Sequence, residues 1–148
     1  MRILSVDYGD ARTGLAVCDR SELLASPVGV ITEYRRDRLL DRVAVAAAEQ
    51  QAEQIVVGNP LNMNGTAGPR SELAAGFARE LGERTGLPVV LWDERSTTVS
   101  AAGILNTADL RGKKRKAVID AVAAVLILES YLAYRKNHPQ EEPDAPPG

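Results

Sequence analysis

The sequence holds one cysteine, one histidine, one phenylalanine and one tryptophan in 148 residues. A single cysteine, Cys18, forms no internal disulfide. The lone histidine, His138, sits in a polar tail and reads as a surface residue, so a zinc-type cluster of histidines and cysteines is excluded. No apolar run approaches the roughly 18 residues that a membrane span needs. No secretory leader is expected, because Asp7 falls where its apolar stretch would lie. An excess of positive charge is also missing. The net charge of −2 argues against indiscriminate coating of nucleic acid, but it leaves room for a local basic site. These absences predict a cytoplasmic protein with no membrane contact.

What is present is 45% hydrophobic and 26% charged residues, the balance of an ordinary globular chain. The length fits one domain with a proper core, expected over residues 1–137, followed by a disordered Pro-rich acidic tail, 138–148. Residues 2–7 (RILSVD) read as a strand buried on both faces, since the run is apolar without clean alternation. Gly9 allows a tight turn into a second, antiparallel strand at 12–18, and PVGVI (27–31) reads as a third. Leu39, Leu40, Val43, Ala46 and Ala47 recur at helical spacing within 35–51. QIVV (54–57) is a further strand, followed by the aperiodic loop GNPLNMNGTAGPR. A helix begins at Gly68-Pro69 and ends before Gly86, where Pro88 blocks continuation. PVVLW (88–92) is the fifth strand, Ser96 caps a short helix reaching about residue 106, and a long helix covers about 113–136. The expected architecture is α/β: a mixed five-stranded sheet with an antiparallel edge, parallel crossovers and helices on both faces.

Three acidic positions stand out. Asp7 lies at the carboxyl end of the first strand, Asp93-Glu94 at the carboxyl end of the fifth, and Asp120 among alanines on the last helix. Ligand sites in open α/β sheets form beyond the carboxyl ends of parallel strands. Carboxylates gathered there without matching cations would repel one another and titrate abnormally. A divalent cation removes the conflict, and ligands that are all oxygen favour Mg²⁺ or Mn²⁺. Two such ions about 3.5–4 Å apart can activate water and stabilise a leaving oxygen in phosphodiester cleavage. The competing readings are local. Asp7 accepts bonds from the Gly9-Asp10 turn, Asp93 or Glu94 caps the next helix, and Asp120 pairs with Lys116.

Other residues fit a phosphate-bearing substrate. The loop offers backbone N–H groups, the amides of Asn59 and Asn62, and Arg70. Arg95, Thr97 and Thr98 follow Glu94 and can meet phosphate oxygens or cap a helix. Three of the four lysines, Lys113, Lys114 and Lys116, cluster with Arg111 and Arg115 at the start of the Asp120 helix. Cations there oppose the helix dipole, and a partner anion would account for them. The competing readings are an ordered connection and a solvated basic turn. Cys18 and Trp92 read as packing residues.

The segments DYGDARTGLAVCD, GNPLNMNGTAGPR, DERSTTVSA and KRKAVIDAVAAVLILESYL, in that order, resemble the YqgF-type or RuvX-like family of pre-16S rRNA nucleases and Holliday junction resolvases. The resemblance covers the chain except its tail. It implies a ribonuclease H-like fold and a metal-dependent nuclease site. By position, the metal-binding and catalytic acids would be Asp7, Glu94 and Asp120, with Arg12, Arg95, Thr97, Thr98 and Lys116 in segments that contact substrate. Two departures lie in the loop: Asn59 stands where the family's motif has leucine, and Asn64 where it has aspartate. The implied role is 5′-end maturation of 16S ribosomal RNA, with resolution of branched DNA as the alternative. A resolvase cutting in pairs would be a homodimer rather than a monomer. A non-catalytic nucleic-acid binder is a further alternative. An ATP-binding module, suggested by DxGxxxxG, is disfavoured because such proteins bind nucleotide between two copies of the domain.

Overall fold

The computed structural model describes residues 1–94 and 113–139, with side chains in the last helix from residue 121 onward. The short helix expected after Ser96 and the tail beyond 139 lie outside the described residues.

Strand β1 (Ile3–Asp7) is central and buried on both sides. Leu4 and Val6 point to one layer, Ile3 and Ser5 to the other, which is why the run is apolar without alternating. Its neighbours are β2 (Arg12–Cys18), antiparallel, and β4 (Gln54–Asn59), parallel. Beyond them lie β3 (Ala25–Thr32) and β5 (Val89–Asp93), giving the order β3-β2-β1-β4-β5. The mixed five-stranded sheet with its antiparallel edge is therefore the observed one.

The turn joining β1 to β2 needs glycine. A Cβ at Gly9 would collide with the carbonyl of Arg12. The Gly9 N–H donates to Thr13 Oγ1 at 3.3 Å. β3 is longer than the expected 27–31. Pro27 fits within it because an edge strand tolerates a missing N–H.

Helices α1 (Arg36–Glu49) and α2 (Pro69–Thr85) cover one face. Leu39, Leu40 and Val43 from α1, and Phe77 and Leu81 from α2, close over Leu4, Val6, Ile55 and Val57. α1 ends two residues before the expected 51. Gln51 turns to φ +56°, and the Ala52 N–H returns to the Ala47 carbonyl. α2 starts at Pro69 and stops at Gly86, whose left-handed φ of 70° sends its N–H to the Gly82 carbonyl.

Helix α3 (Lys113–Asn137) covers the other face. Its Ala124, Ile127, Leu128 and Tyr131 pack on Ile3, Ala16, Cys18 and Val56. Two hydrogen bonds set its direction. Ser5 Oγ donates to the Ala124 carbonyl at 2.6 Å, and Tyr131 O–H to Gln54 Oε1 at 3.3 Å. Gln54 opens β4, so α3 runs against the parallel strands and its first turns lie towards their carboxyl ends. Among the described residues no helix is long and apolar enough to cross a membrane.

Candidate active site

The site follows from strand order. β1, β4 and β5 are mutually parallel, with β4 in the middle, so their carboxyl ends share one edge. Asp7 ends β1, and Glu94 follows the last residue of β5. Side chains alternate along a strand. Asp7 therefore shares a face with Ser5, and Glu94 with Trp92. Both are on the α3 face, where Ser5 reaches Ala124 and Trp92 Nε1 donates to Ser130 Oγ at 3.0 Å.

Two strands separated by a third stand about 9.6 Å apart. Their carboxyl groups meet only if the residue between offers no side chain. That residue is Gly58, paired with Trp92 on β5. A Cβ there would lie within 3.0 Å of Glu94 Cδ and 2.5 Å of Ile127 Cδ1, and it would collide with Glu94 Oε1. Across this gap Glu94 and Asp7 are hydrogen-bonded to each other.

The electrostatics follow from the closeness of the pair. Burial pushes the Glu94 carboxyl up from 4.5 to about 7. The Asp7 charge and their shared hydrogen bond add to the rise, and Asp93 adds a little more, while Arg70 opposes it. Burial raises Asp7 too, against the hydrogen bond from Glu94 and the charge of Arg70. Both carboxyls are thus held above their ordinary range, Glu94 the donor in the bond between them.

Arg70, the second residue of α2, pairs with Asp10 at 3.1 Å. The start of α2 is anchored beside it. Ser71 is buried and donates to Asn59 Oδ1 at 2.5 Å. Asn62 and Asn64 shape the loop from within. Asn62 Nδ2 donates to Thr66 Oγ1 at 3.0 Å, and Asn64 Oδ1 accepts from the Thr66 N–H at 3.1 Å and its hydroxyl at 2.7 Å. An aspartate at 64 would accept the same two bonds, so this departure from the family motif leaves the loop's shape available. Asn59, the other departure, supplies the link to Ser71 that a leucine could not.

The family model described as RuvX, Holliday junction resolvase, matches residues 1–134. The chain belongs to the RuvX family. A relative from Carboxydothermus hydrogenoformans named "Putative pre-16S rRNA nuclease" is 42% identical over 138 residues, 93% of this chain and all of the relative. A relative of the same name from Listeria monocytogenes is 48% identical over 134 residues, 89% of this chain and 97% of its own. Among solved structures, Thermus thermophilus RuvC in complex with a Holliday junction substrate matches with a TM-score of 0.64 at 17% identity, over 97% of this chain and 99% of that one. The fowlpox virus Holliday junction resolvase matches at 0.57 and 15% identity, over 90% and 99%. At these identities the structures establish the fold, which is ribonuclease H-like. Family and relatives together place this RuvX chain among the nucleases.

Of the candidate residues in this RuvX chain, the structure brings together Asp7, Glu94 and Arg70, with Asn59 at the base of the loop. Arg12 opens β2 with its side chain exposed. Lys113, Lys114, Lys116 and Asp120 lie on the backbone of α3, one helical turn separating Asp120 from Ala124, and their side chains lie outside the described residues. Arg95, Thr97, Thr98 and Arg111 lie outside them altogether. Among the described residues no group of three metal-capable side chains assembles. The Asp7–Glu94 pair contributes two carboxylates. Trp92 packs edge-on against Tyr131, ring centroids 5.3 Å apart, as a packing residue should.

Two contributors were missed by sequence reasoning. Gly58 was read as part of a phosphate-binding loop, although it closes the buried run QIVVG at a strand position. Ser5, a polar residue inside a buried strand, signalled a partner across the layers; it fastens β1 to α3 two residues before Asp7.

Proposed function

We propose that this chain is a divalent-metal-dependent endonuclease that cleaves a phosphodiester of structured nucleic acid in 5′-end maturation of pre-16S rRNA. The observation that carries the reading is the Asp7–Glu94 pair: two desolvated carboxyl groups hydrogen-bonded to each other at the carboxyl edge of the sheet, across a glycine gap. An all-oxygen pair, with Arg70 as the cation that acts on it among the described residues, fits a hard divalent cation. Asp7 and Glu94, with Asp120 brought in on α3, would hold Mg²⁺ or Mn²⁺. Bound there, such an ion supplies an activated water and neutralises charge at the scissile phosphate. The protein's own part is to hold the two carboxyl groups together at the carboxyl ends of β1 and β5.

Arg12, Asn59, Asn62, Arg70, Arg95, Thr97, Thr98, Lys113, Lys114 and Lys116 are the proposed substrate contacts, through phosphate oxygens. The names of the relatives favour ribosomal RNA, and hence the cytoplasm. The reading takes residues 1–137 as one nuclease domain and needs one active site per chain. The family's description favours a second reading, resolution of a four-way DNA junction, which would require a homodimer presenting two sites.

The test is cleavage of a labelled precursor 16S 5′-end RNA and a four-way DNA junction, each with Mg²⁺, Mn²⁺ or EDTA. RNA cut only with metal supports the processing nuclease. Symmetric junction cuts move the assignment to the resolvase. Salt-dependent binding of both with no cleavage over a panel of metals would leave a binding module and overturn the nuclease.

The raised Glu94 carboxyl also predicts a pH dependence. The folded, metal-free protein holds a proton at Glu94 up to about pH 7, whereas the unfolded chain releases it near 4.5. That contribution to stability is complete below 4.5 and is lost as the pH rises through about 7. Wild type should therefore lose about 1–2 kcal/mol relative to Glu94→Gln between about pH 5 and 8, allowing for solvent screening. Mn²⁺ should restore it at the upper end. Thermal melts of both proteins, metal-free and with Mn²⁺, give the comparison. A difference that does not change with pH would rule out the raised Glu94 carboxyl.

A further inference from the structure

Arg70 is paired with one carboxylate and acts through its charge on two more. Its guanidinium is 3.1 Å from Asp10, and its charge acts on both Asp7 and Glu94. Its place is set by backbone that does not depend on it: Ser71 is buried and bonded to Asn59, and Asp10 lies in the turn that Gly9 tightens. Neither local interaction explains an arginine here. A cation in the first turn of a helix opposes the macrodipole. The Asp10 pair is 54% and 76% exposed, and pairs so open to water contribute less than about 1 kcal/mol. A weak tether beside a deeper two-carboxylate well is suited to exchange.

Building on the metal-site reading, we propose that Asp10 is a holding acid that draws Arg70 away from the Asp7–Glu94 pair, and that Arg70 and the divalent cation compete for that pair. With the ion absent, Arg70 offsets the charge of the two acids. With the ion present, like-charge repulsion keeps Arg70 on Asp10 or passes it to a substrate phosphate, which its planar fork fits. Asp10 acts through Arg70 and is a positioning residue. No covalent step is involved.

The experiment is calorimetric titration of Mn²⁺ into the metal-free full chain, for wild type, Arg70→Ala, Asp10→Asn and the double variant, with Asp7→Asn as the site control and thermal melts to verify folding. Arg70→Ala should bind Mn²⁺ about three- to tenfold more tightly, and Asp10→Asn at least about threefold more weakly. In the Arg70→Ala background, Asp10→Asn should change affinity by less than about 1.5-fold. Equal effects of Asp10→Asn in both backgrounds would mean that Asp10 acts only through its own field. That result, or Arg70→Ala binding no tighter than wild type, overturns the exchange and leaves the metal site standing. Mn²⁺ binding absent from wild type, or unmoved by Asp7→Asn, overturns the metal site and the exchange together.

Discussion

Asp7→Asn is expected to reduce metal-dependent cleavage by about a thousandfold or more, with the fold intact. Asparagine keeps the size of the side chain and can donate its amide to Glu94, so the gap at Gly58 stays filled. It removes one of the two carboxylates and the charge that would bind a cation. Losing about 4 kcal/mol of transition-state stabilisation corresponds to that thousandfold, within the range a Lewis-acid site supplies. The same change relieves the carboxylate–carboxylate repulsion, so the metal-free variant should melt no lower than wild type at about pH 8. Single-turnover cleavage of the precursor 16S 5′-end RNA or the four-way junction, beside thermal melts, separates the two effects. Cleavage within about tenfold of wild type would remove Asp7 from the metal site.

Gly58→Ala carries the second largest effect, and its cause is steric. The new methyl would lie 2.5 Å from Ile127 Cδ1 and within 3.0 Å of Glu94 Cδ. Ile127 is buried in the layer under α3, so it has little room to retreat. Overpacking of this kind costs about 1–3 kcal/mol, or roughly 3–10 °C in melting temperature for a chain of this size. Glu94 is the more mobile neighbour and should swing away from Asp7. Cleavage should fall about 10- to 100-fold, and raising Mn²⁺ should recover part of it, because the donors survive but are no longer preorganised. A lower melting temperature with unchanged cleavage would show that Glu94 is not needed where the structure holds it.

Much about this chain is local and can be read along the sequence. Gly68-Pro69 and Gly86-Leu87-Pro88 delimit α2 because they act on the backbone of their own residues. Leu39, Leu40 and Val43 mark the buried stripe of α1 because helical spacing is a property of the segment. The motif segments identify the family for the same reason: order and spacing along the chain are enough. The candidate site is different in kind. The strand order alone decides that β4 separates Asp7 from Glu94, and that Gly58 is the position between them. The choice between Asp93 and Glu94 as the close partner of Asp7 rests on side-chain alternation. Trp92 faces α3 and Glu94 follows it on the same side. The direction of α3 is settled by Ser5 and Tyr131 reaching residues 119 and 77 positions away. Segment pattern determines which residues form strands and helices. Contacts between distant segments determine which charges meet, because a carboxylate responds to whatever lies within a few ångströms of it in space, whatever its distance along the chain.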